Sequence, residues 1–248
     1  MAGGYAPAMT IKTVFARDGV VKLPGTGLSG DGLDAVTDSL RNVSADAGRQ
    51  SADGVEYFAD RIMDAWIVNP HVRALALAPQ ILDTLQRLFG RRPLAFQTLN
   101  FEYGTEQEAH CDAVHFNSDP EGFLCAVWIA LEDVNEDNGA VFYYPASHRI
   151  AEVRIRDVED GTVFDAARCA EMERAAQRSG LTRSIACLRR GQALVWAGSV
   201  LHGGASILKP GLTRRSQVTH YFFEDCRYWV PKLSRAGAIQ WRQPRWIS

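Results

Sequence analysis

His110, Cys111 and Asp112 stand together in the chain, and His202 follows far downstream with an arginine pair, Arg214 and Arg215, soon after it. On a strand, residues two apart point to the same face, so His110 and Asp112 can converge on one point while Cys111 faces away. A second histidine delivered from a distant strand completes a set of two imidazoles and one carboxylate. Such a set holds Fe(II) on one face of its octahedron and leaves the other positions open for oxygen chemistry. An H-x-D match alone is frequent by chance, so its weight rests on what surrounds it.

What surrounds it is a series of short apolar runs. Residues 94–103 read as a strand, and Gly104 to Gln107 as the loop that leads to His110. Phe123 to Leu131 is an apolar run too short for most helices and rich in strand formers, hence a buried strand. Residues 132–139 are a turn cluster, and 140–144 another strand. Pro145-Ala146-Ser147-His148 follows, then the strand 192–196, Leu201-His202-Gly203-Gly204, and a strand from Arg214 to Phe222. Gly203 and Gly204 allow close approach of a bound group to His202.

This order of motifs resembles the phytanoyl-CoA dioxygenase family of Fe(II)/2-oxoglutarate oxygenases, whose pattern is H-x-D, W-x-A-L, N-G, P-G-S-H, then a distal H-G and an arginine. The resemblance spans roughly residues 11–228 and is densest between 97 and 222. Ala146 stands where the family commonly has glycine, and Ser206-Ile207 where many members carry asparagine. The resemblance implies a mainly β fold with flanking helices, a double-stranded β-helix (jelly-roll, cupin-like) barrel, as a single domain over 1–248. In that frame 1–10 is a tail, and 151–191 an insertion near the barrel mouth that forms part of the substrate cover.

The same resemblance makes His110, Asp112 and His202 the catalytic iron ligands, each ~2.0–2.2 Å from the metal. 2-Oxoglutarate, the co-substrate beside O2, then needs an anchor for its far carboxylate. A guanidinium suits that task, because its fork donates two parallel hydrogen bonds and it stays charged when desolvated. Arg214 and Arg215 are adjacent, so only one can point inward; the resemblance favours Arg214. Gln97 and Trp128 match positions that flank the co-substrate or iron. The implied reaction couples decarboxylation of 2-oxoglutarate to hydroxylation of an unactivated C–H bond in a small-molecule or carrier-bound metabolite. Related halogenases replace the carboxylate with a small residue to admit chloride, and Asp112 fills that position here. The alternative is a non-catalytic jelly-roll module that binds 2-oxoglutarate or another ligand, although a binder has no need of the triad and the arginine together.

The other histidines read as scaffold. His71 opens a helix and faces solvent, His148 fixes its loop by hydrogen bonds, and His220 reads as a satisfied core histidine, with an inward-facing position as the alternative because it shares the parity of Arg214. His115 continues the loop after Asp112, with substrate contact as the alternative.

Composition agrees with one enzyme domain. The 248 residues are 46% hydrophobic, and 27 basic against 29 acidic side chains leave a net charge of −2. That balance gives no reason to expect nucleic acid or an anionic membrane as partner. The expected partner is a small-molecule substrate; no pattern selects its identity or an oligomeric state. No apolar run has membrane-spanning length, and no basic segment precedes an apolar one at the N-terminus. Five cysteines (111, 125, 169, 187 and 226) without a C-x-x-C pair suit a reducing, cytoplasmic setting, which makes the sequon Asn42-Val43-Ser44 a chance match.

The remaining elements position the site. Residues 11–21 read as a strand, and 31–43 as an amphipathic helix capped near Ser29 or Asp31. Gly25 to Gly30 matches G-x-G-x-x-G, but the polar stretch 44–54 leaves no second parallel strand for a dinucleotide fold, so a turn is expected. Helices are expected over 54–68 and 70–89, packed on one sheet, with Asn69 and Pro70 as a start signal and a second start at Pro79. The latter places Ile81, Leu82, Leu85, Leu88 and Phe89 on one face and Gly90 past its end. Another helix is expected from Phe164 to about Arg178. The aromatic and basic tail from Tyr228 to Trp246 reads as packing over the barrel or a dimer contact, in preference to a nucleic-acid surface.

Overall fold

A computed structural model describes residues 10–40, 54–155 and 165–248. The sequon at 42–44, the polar stretch 44–53, most of the tail 1–10, the end of the 31–43 helix and the expected helix start at Phe164 lie outside the described residues.

A seven-stranded antiparallel sheet carries the molecule. Its strands are β1 (Val20–Leu23), β2 (Glu56–Tyr57), β3 (Ile62–Met63), β4 (Pro93–Phe101), β6 (Leu124–Ala130), β9 (Ala193–Ala197) and β11 (Ser216–Phe223), in the order β1-β9-β6-β11-β4-β3-β2. The apolar run at β6 lies between β9 and β11 with all seven residues buried. A strand covered on both faces has no need of alternation, which is why its sequence shows none. A second sheet runs β10 (His202–Gly204), β7 (Val141–Tyr143), β8 (Ser184–Ile185), and β5 (Asn117–Asp119) pairs with β12 (Arg227–Trp229) in a ribbon.

Helices cover one face of the large sheet. These are α1 (Ile11–Asp18), α2 (Gly30–Leu40), α3 (Pro70–Ala76) and α4 (Pro79–Phe89). Val36, Val72, Leu75, Ile81 and Leu85 pack with Val127, Ile129, Tyr221 and Phe223 in one apolar cluster. Alternation along β11 makes the division. Gln217 and Tyr221 point to the helices, donating to the carbonyls of Val72 at 3.1 Å and Ala76 at 2.8 Å. Val218 and His220 point the other way, toward the cavity described below.

Capping signals hold where they were expected. Asn69 Oδ1 accepts from the amides of His71 and Val72 at 3.0 and 3.2 Å, and α4 ends on left-handed Gly90. Ser29 Oγ accepts from Gly32 N at the start of α2. The glycine-rich run at 25–30 is a turn, and β1 is antiparallel to β9, so no dinucleotide unit forms.

Two expectations are overturned. Residues 11–18 are helical, not a strand: Thr10 caps one end, Gly19 at φ 71° closes the other, and only Val20–Leu23 joins the sheet. The two caps outweigh the strand preference of Val14 and Phe15, and Phe15 packs its ring against Phe89. Residues 54–68 are not a helix either. They form the β2–β3 hairpin and a short 3-10 turn at Ala65–Ile67. Asp64, at φ 59°, accepts from Thr98 N and from Trp66 Nε1, which fastens that turn to β4.

α5 (Ala166–Arg178) buries Met172, Ala175 and Ala176, and its Glu173 accepts a 2.7 Å hydrogen bond from the buried Tyr144 hydroxyl. The C-terminal tail packs on the molecule: Trp229 and Ile247 are buried, and Ile247 N donates to Ala95 O. All five cysteines are free. Among the described residues, no helix is long and apolar enough to cross a membrane.

Candidate metal centre

His110 and His202 face each other as an isolated antiparallel pair, exchanging both backbone hydrogen bonds at 2.9 Å. The H-x-D segment is therefore not a strand. His110 is a single bridging residue, and Asp112 opens a 3-10 turn, Asp112–Val114. Tertiary pairing with the His202 strand places the first candidate donor, and the turn swings the carboxylate back beside it. Cys111 faces away, fully buried in an apolar cluster with Val153 and Leu201.

The chain fixes how each side chain presents its donor atom. His110 Nδ1 lies 2.9 Å from Glu108 O, and His202 Nδ1 lies 3.0 Å from Val200 O. Donation of both Nδ1 protons to these carbonyls leaves a lone pair on each Nε2, the state a metal requires, with that of His110 facing the Gln107 side-chain amide at 3.4 Å. Asp112 Oδ2 accepts a 2.8 Å hydrogen bond from Trp196 Nε1, while Oδ1 lies 3.7 Å from His202 Nε2. One donor atom from each of the three residues lies within 4.8 Å of the other two. Ligands about 2.1 Å from one ion at right angles stand about 3 Å apart, so modest closure around a metal suffices.

The electrostatics agree with ligation. Burial pushes His110 down to about 4, with His202 adding to the shift, so its imidazole is neutral at neutral pH. Burial opposes ionisation of Asp112, yet His202, His220 and His110 around it hold its carboxyl well below the usual range. The donor set thus includes a neutral His110 imidazole and an ionised Asp112 carboxylate, with His202 as the third donor.

Gly203 and Gly204 act on the chain itself. A Cβ at Gly203 would lie 2.5 Å from Gln107 O and 2.6 Å from the Phe142 ring, and one at Gly204 would meet Glu106 N and Thr105 Oγ1 at 2.8 Å. The close approach expected after His202 is to the 105–107 loop, which carries His110 into place.

A cavity of about 220 Å³ opens beside the three residues, and it brings together the other expected site residues. Arg214 lines it, 2% exposed, with Nη1 donating to Ser216 Oγ at 2.7 Å and Nε without a partner. Burial lowers its pKa to about 10, so it remains charged at neutral pH. Arg215 turns outward to Glu132 and Glu102, as strand alternation requires. Gln97 and Trp128 line the same cavity; Gln97 contacts Met63 Sδ, and the Trp128 indole N–H is buried and unpartnered.

The remaining histidines divide. His71 is exposed on α3, and His115 is exposed at the cavity wall. His148 packs its ring against Gly19, while the bonds that hold its loop come from Ala146 N to Asp18 O and Leu201 N to Ser147 Oγ. Ala146 sits at φ 66°, a conformation that glycine adopts without strain. His220 is not a satisfied core histidine: it lines the cavity, 3% exposed, with both ring nitrogens lacking hydrogen bonds. Among described residues, none of 165–191 lines this cavity; α5 packs outside it. Trp196 was not anticipated as a site residue, although a buried indole needs an acceptor and that need was a usable signal.

A family model described as phytanoyl-CoA dioxygenase (PhyH) matches residues 15–216. A mouse protein, phytanoyl-CoA dioxygenase domain-containing protein 1, is 23% identical over 189 residues, which are 72% of this chain and 58% of the relative. The chain therefore spans less than two thirds of that relative's length. Among solved structures, the non-heme α-ketoglutarate-dependent carbocyclase SnoK from nogalamycin biosynthesis superposes with a TM-score of 0.70 at 19% identity, covering 91% of this chain and 90% of that one. EctD from S. alaskensis, crystallised with 2-oxoglutarate and 5-hydroxyectoine, gives 0.65 at 18% identity over 90% and 80%. The epimerase SnoN, in complex with Fe3+, α-ketoglutarate and nogalamycin RO, gives 0.63 at 21% identity over 88% and 84%. At these identities the likeness is one of fold.

Proposed function

Since the chain belongs to the phytanoyl-CoA dioxygenase family, we propose that it is a non-haem Fe(II)/2-oxoglutarate-dependent dioxygenase on a double-stranded β-helix frame, hydroxylating an unactivated C–H bond of a small-molecule or carrier-bound metabolite. The observation that carries this reading is Arg214. A charged guanidinium is buried in the cavity that holds three candidate metal donors, with no carboxylate bound to it among the described residues and its Nε–H unpartnered. An uncompensated buried charge is costly, so the site is built for an anion that arrives with the metal. 2-Oxoglutarate meets that need, since its keto-acid end chelates iron and its far carboxylate suits a guanidinium fork.

The donor set fits Fe(II), which prefers imidazole and carboxylate ligands with open adjacent positions. When bound, iron supplies the O2-dependent oxidation. The chain supplies the rest. Glu108 O and Val200 O hold the two imidazoles in orientation, and Trp196 Nε1 holds the carboxylate. Arg214 binds and orients the co-substrate, and the unpartnered Trp128 N–H beside Gln97 offers it a further donor. Phe101, Trp128 and Val218 wall the cavity against water. Asp112 favours hydroxylation over halogenation, because its carboxylate fills the coordination position that a halide would need. Free cysteines suit a cytoplasmic setting.

Aerobic incubation with Fe(II) and 2-oxoglutarate is expected to yield succinate, and chelation of iron to abolish it. Tight 2-oxoglutarate binding with no succinate across a panel of candidate metabolites would instead favour a non-catalytic binding module.

A further inference from the structure

His220 poses a problem that the functional reading leaves open. It lies on the cavity face of β11, beside the rings of Phe96 and Phe116 at 6.0 and 5.5 Å, and neither ring nitrogen makes a hydrogen bond. A buried polar group without a partner is costly. A leucine or phenylalanine would suit this apolar position better if packing were the whole requirement. Its Nε2 stands 3.5 Å from Asp112 Oδ2, the same oxygen that accepts from Trp196 Nε1.

Strand register explains the arrangement. Trp196 on β9 pairs with Ala126 on β6, and Ala126 pairs with His220 on β11. Directly paired residues share a face, so these three form a row across the sheet. The alanine is the small member, and its methyl group leaves a recess between two large rings. Asp112 Oδ2 lies within reach of both. Oδ1 is the oxygen near His202 Nε2, at 3.7 Å.

We propose that His220 and Trp196 form a two-donor clamp on Asp112 Oδ2, which turns Oδ1 alone toward the metal and prevents the carboxylate from binding through both oxygens. His220 is thus a positioning residue that acts through Asp112. Its Nε2–H closes onto Oδ2 when metal draws Oδ1 in, and the position beside Asp112 stays open for the co-substrate. A carboxylate freed from the clamp can pivot and occupy that position with its second oxygen. This inference rests on the iron-site reading of the triad.

The test is Mn(II) affinity by calorimetry on the apo protein, together with the visible spectrum of the Co(II)-loaded protein, which reports coordination number. His220→Phe fills the site but lacks the donor, whereas His220→Gln retains an N–H at a comparable distance from the backbone. Removing an outer-shell partner of a metal ligand typically costs 10–100-fold in affinity. His220→Phe and Trp196→Phe are each expected to weaken Mn(II) binding roughly ten- to hundredfold and to alter the Co(II) spectrum. His220→Gln is expected to recover most of both. Wild-type Mn(II) affinity and Co(II) spectrum in His220→Phe would overturn the clamp. So would equal losses in His220→Phe and His220→Gln that track a lowered melting temperature, the signature of packing alone. Failure of the unaltered protein to bind Mn(II) or Fe(II) would strike the iron-site reading itself, a distinct result.

Discussion

Arg214→Ala is expected to raise the apparent KM for 2-oxoglutarate on the order of a hundredfold while Fe(II) binding persists. Truncating one partner of a buried, charge-assisted pair costs about 2–5 kcal/mol, and each 1.4 kcal/mol is a factor of ten. Arg214 belongs in that class because it is buried, charged and without a carboxylate of its own. Arg214→Lys keeps the charge and loses the fork, so it should rescue only partly. Arg215→Ala should be mild for co-substrate affinity, since Arg215 spends its charge on Glu132 and Glu102 outside the cavity. Thermal shift gives a second readout: adding 2-oxoglutarate to the Mn(II)-loaded protein should stabilise the unaltered protein further and leave the Mn(II)-loaded Arg214→Ala variant unchanged. Equal indifference of both arginine variants would remove the co-substrate assignment.

Asp112→Ala is expected to abolish succinate formation and to weaken Fe(II) binding by more than ~100-fold, beyond the range typical of outer-shell partners. The substitution removes the only anion among the three donors and leaves two imidazoles to hold a dication. It also strips Trp196 Nε1 of its acceptor at a site that is almost wholly buried. Asp112→Glu restores the charge but pushes the carboxylate forward by one methylene. A displacement of about 1 Å at a reacting centre can cost a hundredfold, so activity should stay low even where metal binding returns in part. Calorimetric Fe(II) titration under argon, paired with succinate quantification, measures both effects. Near-normal succinate from Asp112→Ala would mean that the metal is held elsewhere.

Legibility in the sequence followed the length of each signal. The apolar run at 123–131 and the arginine strand gave β6 and β11 because a strand buried on both faces needs many consecutive β-formers. Asn69-Pro70 and Gly90 gave the helix boundaries because caps are local chemistry. β2 and β3, two residues each, carry almost no periodicity, and the turn after them is set by Asp64 reaching Thr98 on another strand. The helix at 11–18 was hidden for a related reason: its stop signal, Gly19, sits within an otherwise strand-like run.

The site divides along the same line. Residue types named His110, Asp112 and His202, and the structure brings their donor atoms together, though by a bridge and a 3-10 turn instead of the strand alternation expected. Alternation did separate Arg214 from Arg215: both precede β11, but their backbone continues its ladder through Glu102 O and Leu131 N, so the two side chains face opposite ways. The unpartnered state of His220 was not legible. It depends on which side chains three other strands and one loop bring around the ring, and spacing along one strand says nothing of that. Trp196 is similar, since its acceptor lies 84 residues away in sequence.

The most direct measurement is a crystal structure of the protein loaded under anaerobic conditions with Fe(II) and 2-oxoglutarate, with anomalous scattering to locate the iron. The expected result is one iron bound by His110, Asp112 and His202, with 2-oxoglutarate chelating it and its far carboxylate paired with Arg214. Iron at any other set of residues, or a co-substrate whose far carboxylate leaves Arg214 unpaired, would contradict the account.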